Sequence, residues 1–158
     1  MIDRIDQIKE RRSRLQRACN ALCGDRVTFL KLSDWEFENG EELRHLNGSF
    51  RILKTPLRFR CSETFIRPTN PELRSFQYSV VRAEDVEGTD AFFRYECHPE
   101  LGGSNPYVLY PHFHPDRVHS DVQLRELHFP FTRAVRGDAV FAILGWLKVD
   151  FIKRFGHR

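Results

Sequence analysis

Near the N-terminus apolar residues recur at three- and four-residue spacings, at Ile5, Ile8, Leu15, Cys19 and Leu22. That spacing places them on one face of a helix, and Gly24 supplies a stop, so a helix is predicted over about residues 2–22. After Gly24 the period shortens to two. Val27 and Phe29, then Trp35 with Phe37, predict a hairpin or bent strand, and Asn39-Gly40 marks a turn.

Phe50 and Ile52, then Leu57, Phe59 and Cys61, alternate with Arg51, Arg58 and Arg60, so one face is buried and the other basic. Pro56, which brings no backbone donor, predicts an edge position or a bulge. Phe76, Tyr78 and Val80 predict the next strand, Glu87-Gly88 a turn, and Phe93, Tyr95 and Cys97 its partner. Residues 67–71 and the Pro/Gly-containing stretch between His98 and Pro106 read as loops. Tyr107 to His114, and Leu127, Phe129 and Phe131, predict further strands.

Helical spacing returns at the end. Val140, Leu144, Leu147, Phe151 and Phe155 form a stripe widened by Ile143 and Ile152, behind an N-cap at Asp138 and before a basic end at Lys153-Arg154. The expected fold is α+β: a curved antiparallel sheet of about six to seven strands within 27–131, a basic amphipathic helix over 1–22, and a C-terminal helix over 138–155. A chain of 158 residues suits one core, so a single domain over 1–158 is expected. The 14 Phe residues sit at strand-like spacings and point to packing rather than disorder.

The longest apolar run, Ala139 to Leu147, is too short to span a bilayer, and Met1-Ile2-Asp3-Arg4 opens with alternating charges instead of the apolar stretch of a secretion signal. A cytoplasmic protein with no membrane partner is the expectation. Cys19, Cys23, Cys61 and Cys97 are accordingly read as reduced thiols.

Residues 1–22 carry Arg4, Lys9, Arg11, Arg12, Arg14 and Arg17 against Asp3, Asp6 and Glu10, which matches the net charge of +3 for the whole chain. Such a helix either meets nucleic acid or an acidic surface, with Arg11, Arg12 and Arg14 as contacts, or is a solvated outer face with intrahelical pairs.

The candidate chemistry lies further on, in Pro111-His112-Phe113-His114-Pro115-Asp116-Arg117-Val118-His119, with His128 following in Leu127-His128-Phe129-Pro130. Residues two apart in a strand share a side, so His112 and His114 are expected to face one space. Two imidazoles there serve as general acid and base in phosphodiester cleavage, or ligate a divalent metal with His128 or His119 as third member. Acid-base cleavage also wants cations at the phosphate, for which Arg94, Arg117, Arg125 and Arg133 are candidates. The alternative is that the histidines are part-buried and satisfied by backbone carbonyls, the role expected of His98 and His45. His157 reads as terminal.

Other sites are poorly served. A cupin-like metal site would need a glutamate and a second motif that are absent. Cys19 and Cys23 with Cys97 and His98 lack a usual zinc spacing, and neither a phosphate-cradling glycine loop nor a serine elbow is present.

Phe93-Arg94-Tyr95, Pro111-His112-Phe113-His114, Leu127-His128-Phe129-Pro130, Arg133 and the closing helix together resemble the TumE-type toxins of bacterial toxin-antitoxin pairs. The resemblance spans roughly residues 92–155 and implies a bacterial cytoplasmic protein, an antitoxin as partner and an action on RNA. Three readings of function follow. One is a ribonuclease-type enzyme using His112, His114 and His128, with Arg94 and Arg133 at the phosphate. The second is a non-catalytic module docking nucleic acid or an acidic protein through the basic helix and Arg51, Arg58 and Arg60. The third is a homodimer-forming domain whose aromatics, Trp35, Phe92 and Trp146, are exposed.

Overall fold

Ile8, Leu15, Cys19 and Leu22 are all buried, which is why the N-terminal segment lies down as an amphipathic helix, α1 (Ile5–Cys23). Gln7, Lys9, Glu10, Ser13, Arg14 and Arg17 occupy its exposed side. The computed structural model describes residues 5–23, 30–53, 55–67, 72–84, 91–98, 112–115 and 139–148. The strands predicted at Val27/Phe29 and Leu127–Phe131, the Glu87-Gly88 turn, the stop at Gly24 and the cap at Asp138 lie outside the described residues.

Among the described residues seven strands follow α1: β1 (Lys31–Leu32), β2 (Glu36–Glu38), β3 (Glu41–Arg51), β4 (Leu57–Ile66), β5 (Glu72–Arg82), β6 (Ala91–Cys97) and β7 (His112–Pro115). All pairings are antiparallel, in the spatial order β1-β3-β4-β5-β6-β7, with the short β2 also on β3. A second described helix, α2 (Ala139–Trp146), continues through a wider turn at 147–148. The predicted extension of this helix to 155 lies outside the described residues.

The β2–β3 hairpin turns on Asn39 (φ 51°) and Gly40 (φ 85°), with Glu38 paired to Glu41 on either side. Two successive positive φ values are what a two-residue turn needs to match the strand twist, and Asn-Gly tolerates them best. Pro56 sits neither on an edge nor in a bulge. It ends the β3–β4 connection just before β4, where its missing N–H costs no ladder bond, and its carbonyl accepts from Ala83 N at 2.8 Å.

The α+β arrangement matches the expectation, but the sheet is open and not strongly curled. Its strands succeed one another as a meander. Only two irregularities interrupt the registers of β4–β5 and β5–β6, between Thr64/Phe65 and Val80/Val81, and bulges of this kind add bend and twist only locally.

Both helices contribute to one core on one face of the sheet. Leu15, Cys19 and Leu22 of α1 and Val140, Ile143, Leu144 and Leu147 of α2 cluster with Leu46, Phe50, Phe59, Phe65, Phe76 and Tyr78. Phe76 stacks on Tyr78 with ring centroids 5.0 Å apart. The N-terminal helix is also tied by polar bonds: Leu53 N donates to Leu22 O, Leu30 N to Gln16 Oε1, and Arg12 Nε to Leu30 O.

Candidate functional site

The alternation of β4 sorts its side chains to two faces. Leu57, Phe59, Cys61, Glu63 and Phe65 are buried toward the helices, while Arg58, Arg60, Ser62 and Thr64 take the opposite face. Each face carries a polar constellation.

On the helix side Glu63 is wholly buried, yet its carboxylate is fully engaged. Arg11 donates Nε to Oε2 at 2.8 Å and Nη2 to Oε1 at 2.7 Å, and the Tyr78 hydroxyl donates to Oε1 at 2.7 Å. Burial by itself lowers the Arg11 pKa, but the hydrogen bond and charge of Glu63 outweigh it and hold Arg11 above its ordinary value. Burial, then the Glu63 charge, push the Tyr78 phenol well up. The Cys61 thiol is raised by the same two causes, with Cys19 adding to them. Each group is thereby locked in one protonation state near neutrality, which suits a structural clamp and not a proton-transfer site.

Arg11, expected on an outer basic face, therefore points inward. Arg12 and Arg14 also make contacts within the chain, although Arg14 stays exposed. Arg12 bonds the Leu30 carbonyl at 3.0 Å, and the Arg14 guanidinium lies 4.7 Å from the Phe141 ring centroid. The sequence contained a signal for this: Arg11 falls on the Ile8–Leu15 stripe, and Glu63 shares the parity of Phe59, Cys61 and Phe65.

Across the opposite face the registers align two polar rows. One runs Ser49, Arg60, Ser79, Arg94 to the position of His114, and the other runs Asn47, Ser62, Gln77, Glu96 to the position of His112. The two histidine positions thus stand directly opposite Arg94 and Glu96 on one β-ribbon. Arg94 Nε lies 2.9 Å from Glu96 Oε2, and His98 Nε2 lies 3.6 Å from the same oxygen. Ser79 and Val81 are buried on this side too, so the middle of the face is covered while Arg94 remains 41% exposed.

Of the sequence candidates, His112, His114 and Arg94 come together in this way. His119, His128, Arg117, Arg125 and Arg133 lie outside the described residues, as does His157. His45 has side-chain partners: its Nδ1 is 3.2 Å from Thr64 Oγ1 and its Nε2 3.4 Å from Glu38 Oε1. Among the described residues no three His, Cys, Asp or Glu side chains are grouped to hold a metal, and Cys19, Cys61 and Cys97 are buried free thiols. Trp35, expected to be exposed, is partly buried against the core, with Arg44 and Arg67 over its ring. No described helix is long and apolar enough to cross a membrane.

No protein-family model, curated protein or solved structure matches this chain.

Proposed function

We propose that the chain acts on RNA as a toxin-like protein, through the ribbon formed by β6 and β7. The observation that carries this reading is the register that sets His114 opposite Arg94 and His112 opposite Glu96. Phosphodiester cleavage needs a base to take the attacking hydroxyl's proton, an acid to protonate the leaving oxygen, and a cation for the charge developing on phosphorus oxygens. The two histidines supply the first pair of roles and Arg94 the third, with Glu96 positioning the guanidinium. His128, with Arg133 and Arg117, completes the set proposed from sequence, and an antitoxin is the expected protein partner. A divalent metal held by the histidines is the variant of this reading that a chelator separates.

The test is cleavage of total cellular RNA by the purified chain, with and without chelator, beside His112→Ala, His114→Ala and Arg94→Ala variants of matched folding. Loss of cleavage in both histidine variants, and a drop of roughly 10²-fold or more for Arg94→Ala, is expected. Loss on chelation in the parent protein would assign the histidines to a metal. RNA left intact under all conditions would remove catalysis and leave a non-catalytic binding module. Arg51, Arg58 and Arg60 on the same face favour that second reading.

A further inference from the structure

β1 and β2 both lie along the outer side of β3, and among the described residues no strand lies beyond them. β2 therefore has an open edge, and the Asn39-Gly40 turn fixes what that edge presents. A two-residue turn makes its flanking pair, Glu38 and Glu41, exchange both backbone bonds, so the next pair, Phe37 and Glu42, exchanges none. Glu42 shows the same phase, because its carbonyl turns the other way, toward β4, and accepts from Arg67 N at 2.9 Å. The N–H and C=O of Phe37 consequently both point off the sheet.

The side chains at this edge are equally open. Phe37 is 77% exposed, one of two large apolar residues left so among the described residues. Trp35, two positions earlier, is instead packed against the core with Arg44 and Arg67 over its ring. Glu36 and Glu38 flank Phe37, exposed on the other side of the strand. Glu41 and Glu42 are answered by Arg74 and Arg67. Among the described residues Glu36 has no ion pair, and the partner of Glu38 is His45, 3.4 Å away and a cation only when protonated. Charges on an edge strand ordinarily keep copies apart, but they do not account for an exposed phenylalanine with both of its backbone groups open.

We infer that the edge of β2 takes up an extended segment of a partner protein, with one apolar residue facing Phe37 and a basic residue on either side facing Glu36 and Glu38. Added antiparallel, such a segment satisfies both backbone groups of Phe37 and sets its basic residues directly across from the two carboxylates. A second copy of this chain does not fit, since pairing two β2 strands about Phe37 sets Glu36 of one against Glu38 of the other. Single-stranded RNA does not fit either, because it brings phosphates to those carboxylates. The inference stands apart from the RNA reading of the β6–β7 ribbon.

The experiment is an amide NMR titration of the whole chain with short synthetic peptides centred on Arg-Val-Arg or Glu-Val-Glu between threonines, carried to millimolar concentration. Beside the parent run Phe37→Pro, which deletes an outward N–H and no ladder bond, and Glu36→Lys/Glu38→Lys, all matched by circular dichroism and urea midpoint. The Arg-Val-Arg peptide is expected to slow solvent exchange of the parent's Phe37 amide and to bind more weakly as salt rises. Read at the Glu36 and Glu38 amides, it should bind Phe37→Pro about tenfold more weakly. The charge-reversed variant is expected to prefer Glu-Val-Glu, and it decides the matter even where proline disturbs the hairpin.

No binding by the parent, equal binding of the two peptides, or an unchanged preference after charge reversal overturns the inference. So does protection of the Phe37 amide by single-stranded RNA, or a concentration-dependent dimer that Phe37→Pro dissolves, since each gives the edge to a different occupant.

Discussion

Arg11 grips Glu63 with two near-parallel hydrogen bonds across the helix–sheet interface, at 2.8 and 2.7 Å, and Glu63 has no solvent exposure at all. The pair joins residues 52 positions apart, so it fixes where along β4 the helix sits and which way it is rotated. Apolar packing alone would tolerate small slides of α1, whereas a forked donor over a carboxylate does not.

Arg11→Met should therefore be far more damaging than a surface arginine change. It strands a carboxylate in the core and is expected to cost about 3–5 kcal/mol, read from urea denaturation. Glu63→Leu leaves a guanidinium that still reaches the surface and should cost less. Combining the two should recover more than half of the Arg11→Met loss, because the uncompensated charge is gone. Simple additivity of the two changes would show that the pair is not the clamp described.

Alkaline conditions should loosen the fold before most lysines titrate. The Cys61 and Tyr78 pKa values are raised in the folded protein above ordinary values of 9.0 and 10.0, so above pH 9 the unfolded chain loses these protons first. Stability is fully present below pH 9 and falls as pH rises from there, because the folded state then binds more protons than the unfolded one. The urea midpoint, followed from about pH 8 to 11, should drop. The drop should be shallower in Cys61→Ala, and a Cys61→Ala profile identical to the parent would remove Cys61 as its cause.

Gly48 is a packing glycine. It has the core parity of β3, opposite Cys61, and a Cβ placed there would lie 2.3 Å from Leu30 Cδ2 and 3.0 Å from Phe50 Cζ. Leu30 is wholly buried and held by its own backbone bonds to Gln16 and Arg12. Gly48→Ala should cost about 1–3 kcal/mol through overpacking. Leu30→Ala in the same chain should offset part of that, and a fully additive double variant would contradict the contact.

Much of this architecture is legible in the residue pattern, for physical reasons that also mark where legibility stops. Period-two burial identifies β4, because one face must meet the helices. Asn39-Gly40 identifies its hairpin because few other pairs accept two positive φ values. The neighbour relations of the strands, and hence the rows ending at His112 and His114, are set by long-range register that no single segment encodes. Arg11 and Glu63 were readable only jointly. Each violates the apolar pattern of its own element, and the violation makes sense once the two elements face each other. Arg11 shows that a charged side chain can be the inward-facing residue of an amphipathic helix, while Arg14 and Arg17 of the same helix stay exposed. The modest curl of the sheet is not legible in the pattern, because strand alternation carries no information about curl.

The clamp also has a consequence in time. During synthesis α1 leaves the ribosome well before Glu63, 52 residues after Arg11, and before Tyr78, 67 residues after it. A helix of 19 residues is marginal on its own in water, and its burying surface does not yet exist. The successive hairpins of β3, β4 and β5 assemble from neighbours in sequence as they emerge, so docking of α1 waits for them. For that interval the nascent chain carries the apolar stripe and the basic groups of α1 in the open.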